Sequence, residues 1–199
     1  MVLASWMVAD VPATNVLGAD PQRALEALGE HATILRLLYA KSVALWLLVS
    51  PACVVVALVV GERTGRWSTA ALIIVWVLVV PAGTLGFSSW LGILLPYHPQ
   101  ALAWRWRNRR SFGRVIVRWL VLVCAPFVVV PLIAALVLAP GLAIWLAIAG
   151  PGDERIPDDQ LVLIVVVSSA VAAAAFVAGH RSAARIALRR RDALARYLG

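Results

Sequence analysis

Four stretches of this chain are each apolar over the length that crosses a lipid bilayer, and the loops between them are too short to fold alone. A span needs about 20 apolar residues, because about 30 Å of hydrocarbon is crossed at about 1.5 Å per residue. The segments are 42–60 (SVALWLLVSPACVVVALVV), 69–95, 115–139 and 161–179, and none contains Asp or Glu. Of all residues, 62% are hydrophobic and 14% charged, against the near-half apolar and one-quarter charged of soluble domains. The expectation is an all-α membrane protein with four transmembrane helices. Residues 1–41 form an N-terminal segment, 42–179 the membrane domain and 180–199 a tail.

The third apolar block is the wrong length. Val115 to Ala149 is 35 residues with a single charge, Arg118. That is too long for one span and too short for two with a turn. Pro-Gly pairs flank its last part at 140–141 and 151–152, and such pairs mark turns. The block therefore reads as a span to about Ala139 followed by a re-entrant hairpin over 141–150, before the last span.

Charge orients the helices. Residues 98–114 carry five Arg and no acid, and 180–199 carry six Arg against Asp192. Residues 150–159 carry four acids against Arg155. Short cytoplasmic loops collect Lys and Arg, so the two basic segments face the cytoplasm and the acidic loop faces out. Both termini are then cytoplasmic, in a multi-pass protein of the cytoplasmic membrane. The loop at 61–67, with Arg63 and Arg66, weakly opposes this orientation.

The basic loop AWRWRNRRSFGR holds aromatic and cationic residues of the kind that bind nucleic acid. Tethered between two spans, it reads instead as an interfacial anchor. Trp104 and Trp106 suit the headgroup level, and Arg105, Arg107, Arg109 and Arg110 meet anionic lipid. Trp46, Trp67, Trp90, Trp119 and Trp145 read as further anchors, and Trp76 as packed between helices. Lys41 and Arg118, near span ends, can snorkel to the interface. In the tail, Ile186, Ala187, Ala193, Leu194, Tyr197 and Leu198 share one helical arc that Arg190 interrupts. This is a basic amphipathic helix, serving as a membrane-surface anchor or as a docking surface.

Residues 20–41 are of another kind. Asp20-Pro21 is a helix start, a capping carboxylate followed by proline in the first turn. Ala24, Leu25 and Leu28 give one apolar side, and Gly29 can end the helix. A second helix leads from about Thr33 into the first span. A short helix joined by an elbow to a span is a docking element, with Asp20, Arg23, Glu26 and Arg36 as its charged candidates.

Chemistry is hard to find. There is no phosphate-binding glycine loop, and the three histidines lie scattered at 31, 98 and 180. Cys53 and Cys124 have no metal-ligand spacing and read as small core residues. GFSSWLG at 86–92 lacks the Gly-x-Ser-x-Gly spacing of a nucleophile elbow. Its Ser88 and Ser89, with Ala82 and Gly86, read as small residues that let helices approach. No cofactor, metal or catalytic residue is expected. MVLASWMVAD lacks the positive start of a signal peptide.

The order of features resembles the C-terminal portion of a type-2 permease of ATP-binding-cassette exporters. In that family an Asn-x-x-Gly-x-Asp stretch, here Asn15, Gly18 and Asp20, follows the second span. A Gly-Lys or Ala-Lys pair, here Ala40-Lys41, opens the third. A Gly- and Ser-rich fourth span, here with Gly83, Gly86, Ser88 and Ser89, ends at a Pro-Tyr motif, here Pro96-Tyr97. The resemblance implies a re-entrant hairpin between the last two spans and a cytoplasmic loop, here 20–36, that docks on a separate ATPase. Such permeases have six spans, which implies a truncated or split permease completed by a second membrane chain or a homo-oligomer. The other open reading is a small accessory subunit of a larger membrane complex.

Overall fold

The computed structural model describes Leu17 and residues 20–65, 67–95, 112–148 and 158–198. Six helices make up almost all of this: α1 (Pro21–Ala27), α2 (His31–Thr64), α3 (Trp67–Leu94), α4 (Phe112–Ile148), α5 (Asp158–Arg189) and α6 (Arg191–Leu198). No strand occurs among the described residues.

Local signals account for the ends of the first two helices. The Asp20 side chain accepts from the Arg23 backbone N–H, and Pro21 supplies the first turn of α1. Leu28 and Gly29 form the turn after it. α2 starts at His31, two residues before the expected Thr33, and stops at Gly65, whose φ of 66° is the left-handed cap glycine adopts without strain.

Consecutive long helices run in opposite directions. Trp46 Nε1 donates to the Leu78 carbonyl across α2 and α3 at 3.0 Å. Val137 and Ile133 of α4 meet Gly83 of α3, and Ile164 of α5 meets Gly141 of α4. The most extensive packing joins α3 to α5. There the backbones touch at Gly86 and Gly179: a Cβ on Gly86 would lie 2.5 Å from the Ala175 carbonyl oxygen, and one on Gly179 would strike the Gly86 backbone.

Much of the outer surface is apolar. Leu48, Val128 and Leu146 are 77%, 69% and 68% exposed, an arrangement that water penalises and lipid does not. Among the described residues three helical stretches are long and apolar enough to cross a membrane: His31–Thr64, Ile73–Leu94 and Val162–Arg189. α4 is also apolar along its length, from Val115 to Ile148 apart from Arg118. This architecture fits a multi-pass membrane protein.

Several expectations need correction. α4 runs without interruption from Phe112 to Ile148, straight through Pro140-Gly141. No hairpin forms over 141–148, and residues 149–157 lie outside the described residues. In an apolar setting a turn strands backbone groups that a helix satisfies, so proline costs less there than the turn does. Gly141 serves contact instead: a Cβ on it would lie 2.8 Å from Ile164 Cγ2. The tail is not a separate unit beginning at residue 180, since α5 continues to Arg189 and the helix breaks only at Arg190. Trp76 faces outward at 38% exposure, while its neighbour Val77 packs against Cys53 of α2. Cys124 is exposed on α4; Cys53 is buried.

Candidate functional site at the basic end of the bundle

The helices outrun the apolar segments inside them. α2 begins 11 residues before residue 42, and α5 ends ten residues after residue 179. At about 1.5 Å per residue both project about 15 Å past the apolar zone. The same end of the bundle holds the C-terminus of α3, together with α1 and α6.

These projections enclose a second core. Leu17, Ala24, Ala27, Leu28, Ile34, Leu38, Ile93, Ala183, Ala184, Ala187, Leu194 and Leu198 are all buried in one cluster. It joins the N-terminal helix, three long helices and the C-terminal helix. The apolar arc of the tail, expected to lie on lipid or a partner, is covered by the chain itself at Ala187, Leu194 and Leu198. Arg190 interrupts that arc for a reason. Its guanidinium donates to the carbonyls of Ile93 and Leu94 at 3.3 and 3.2 Å. These are end-of-helix acceptors with no partner of their own inside α3.

Beneath the core lies a buried polar junction. His180 Nδ1 is 2.7 Å from the Phe176 carbonyl, and Nε2 is 2.8 Å from Ser42 Oγ. The carbonyl can only accept, so Nδ1 carries the proton and Nε2 accepts from the serine hydroxyl. The Tyr39 ring stacks on the imidazole at 4.7 Å and 12°, and Phe176 tilts against it at 4.3 Å. Serine and histidine form a hydrogen-bonded pair of the nucleophile–base kind. Both are buried, however, at 3% and 0% exposure, so the serine is not presented to a substrate. The pair is a latch between the start of α2 and the end of α5.

A further tie lies nearby. The Trp90 indole N–H is shared between Ser182 Oγ at 2.9 Å and the Gly179 carbonyl at 3.2 Å. Trp90 therefore holds α3 to α5 in addition to any part in anchoring. Beside it, a groove of about 570 Å³ opens between α3, α4 and α5.

The expected docking residues gather on the rim of this end. Arg23 and Glu26 are exposed on α1, and Arg36 is exposed on α2. Arg23 and Asp20 form an exposed ion pair at 3.6 Å, of the kind worth about 0–1 kcal/mol. Among the small residues, Gly86 lies at the α3–α5 contact and Ala82 lines a smaller groove against Ala172 and Ala173. Ser88 and Ser89 are buried, and Ser89 Oγ donates to the Leu85 carbonyl of its own helix. Trp104, Arg105, Trp106, Arg107, Arg109 and Arg110 lie outside the described residues, as do Asn15, Gly18, Pro96 and Tyr97. Among the described residues no three His, Cys, Asp or Glu side chains gather where they could hold a metal.

The sequence reading missed His180, Ser42 and Arg190. Their partners lie 138, 138 and 97 residues away, so no local pattern marks them. The one available signal was a polar residue where an apolar one was due, as at Arg190.

No family model, curated protein or solved structure matches the chain.

Proposed function

We propose that the chain is a permease-type, membrane-spanning subunit of an ATP-driven exporter of the ATP-binding-cassette kind, with α1 as the element that receives a separate ATPase. One observation carries this reading. α1 is a helix of seven residues, far too short to be stable alone, yet it packs on α2 and α6 within a buried core shared with the ends of α3 and α5, while Arg23 and Glu26 are exposed. A push on α1 therefore reaches α2 directly and the other long helices through that core. The resemblance carried by Asn15–Asp20, Ala40-Lys41 and Pro96-Tyr97 supports the same assignment.

In this reading α4 is the third of four spans, and the basic end lies in the cytoplasm by the positive-inside rule. Both termini are then cytoplasmic. ATP hydrolysis belongs to the partner. A second membrane chain, or a second copy, completes the pathway.

The test is co-purification of the tagged chain with a candidate ATPase subunit expressed beside it. The combined substitutions Arg23→Glu and Glu26→Arg are expected to reduce the recovered ATPase at least tenfold. Membrane insertion and thermal stability are expected to hold, since both side chains are exposed. Undiminished recovery of ATPase would remove the docking role and move the assignment to an accessory subunit.

A further inference from the structure

The groove between α3, α4 and α5 has one apolar part and one cationic rim. Phe87, Ile133 and Val177 line its wall, and Arg181 and Arg185 stand at its end. On α5 the lining residues 174, 178, 181 and 185 are spaced by four, three and four, so they form a single stripe along one helix face. From Ala174 to Arg185 that stripe is about 16 Å long; Ala174 and Ala178 lie in the apolar zone and the two arginines just beyond it. Its volume of about 570 Å³ is that of a small-molecule site.

Among the described residues the rim is cationic without compensation. The described ion pairs are Arg23–Asp20 and Arg191–Asp192, and neither Arg181 nor Arg185 joins one. Residues 96–118, which lead into α4, contain no Asp or Glu. The other polar groups at the rim, Trp90 and Ser182, are already bonded to each other and to α5 carbonyls. The two guanidiniums, one helical turn apart, are thus the groups left to bind a ligand, and guanidinium pairs with phosphate through two parallel hydrogen bonds.

We propose that this groove binds one anionic diacyl phospholipid, with the headgroup phosphate between Arg181 and Arg185 and one acyl chain along the wall formed by Phe87, Ile133 and Val177. The charge at one end selects the headgroup. The apolarity of the wall selects a chain rather than a free anion. Neither feature depends on the transport assignment.

Native mass spectrometry of the protein released from micelles holding equal phosphatidylglycerol and phosphatidylcholine reads the site directly. One retained phosphatidylglycerol per chain is expected, with at least tenfold preference over phosphatidylcholine. The double substitution Arg181→Gln and Arg185→Gln is expected to abolish the preference, while Arg191→Gln with Arg196→Gln, exposed cations of α6, leaves it intact. Ala174→Phe and Ala178→Phe, made separately at exposed positions of the stripe, fill the wall and spare the arginines. Either one, where the variant keeps the parent's thermal stability, is expected to lose the lipid. Equal retention of both lipids, or retention unaffected by the arginine pair, overturns the proposal. Retention unaffected by a stably folded wall variant, or displacement of the lipid by millimolar glycerol phosphate, reduces the site to surface charge and equally overturns it.

Discussion

Arg190 shows how one side chain can decide where a helix ends. It stands at the break between α5 and α6 and donates to the last carbonyls of α3. Hydrogen bonds to a charged group are worth about 1.5–3 kcal/mol. Arg190→Met keeps the aliphatic stem and removes the donors, so thermal or denaturant unfolding in detergent is expected to show a loss of about 1–3 kcal/mol. Arg191→Met, at an exposed pair with Asp192, is expected to stay within about 0.5 kcal/mol. Equal effects would remove the capping role. In the sequence, Arg190 was visible only as a flaw in an apolar arc, because the carbonyls it serves are nearly a hundred residues earlier. Trp76 fails for a related reason. Depth in an apolar run says how far a residue is from water, but in a bilayer that does not say whether it faces protein or lipid. Gly86 was legible because small size has one dominant use between helices; its partner Gly179 was not, since nothing in the sequence pairs them.

At the scale of elements, the apolar segments 42–60, 69–95, 115–139 and 161–179 each coincide with one long helix, only Leu95 falling past the end of α3. Apolar length is a strong signal because the hydrocarbon thickness is fixed. The breaks were harder to read. Pro140-Gly141 is a turn signal calibrated on chains in water, where freed backbone groups find solvent, and α4 passes through it. The amphipathic tail was legible as an arc, while the identity of what covers it was not. α6 has only eight residues, so its stability comes from docking on the shared core. Leu194 is 1% exposed there. Leu194→Ala is expected to cost about 2–5 kcal/mol and to make residues 20–30 more sensitive to limited proteolysis. Arg196→Ala on the exposed face is expected to do neither. Proteolysis unchanged by Leu194→Ala would mean that α1 does not depend on α6.

For the whole molecule, the placement of charge predicts one topology. In a chain whose Cys53 and Cys124 are replaced by Ala, a single cysteine at Asn108 or Arg196 is expected to be shielded from an impermeant external thiol reagent in intact cells, and one at Gly152 to react. Labelling of Asn108 from outside would invert the orientation.

The contact between Gly86 and Gly179 gives this bundle unequal lever arms. In α3 about 12 Å of helix lies between that contact and Leu94, and about 29 Å between it and Trp67. In α5 the corresponding lengths are about 15 Å to Arg189 and about 32 Å to Asp158. With backbone against backbone the two rods can scissor but cannot approach further. The short arms carry the core that holds α1 and α6; the long arms cross the apolar zone. A displacement applied at the short arms therefore arrives at the far face of the membrane about twofold larger and opposite in direction.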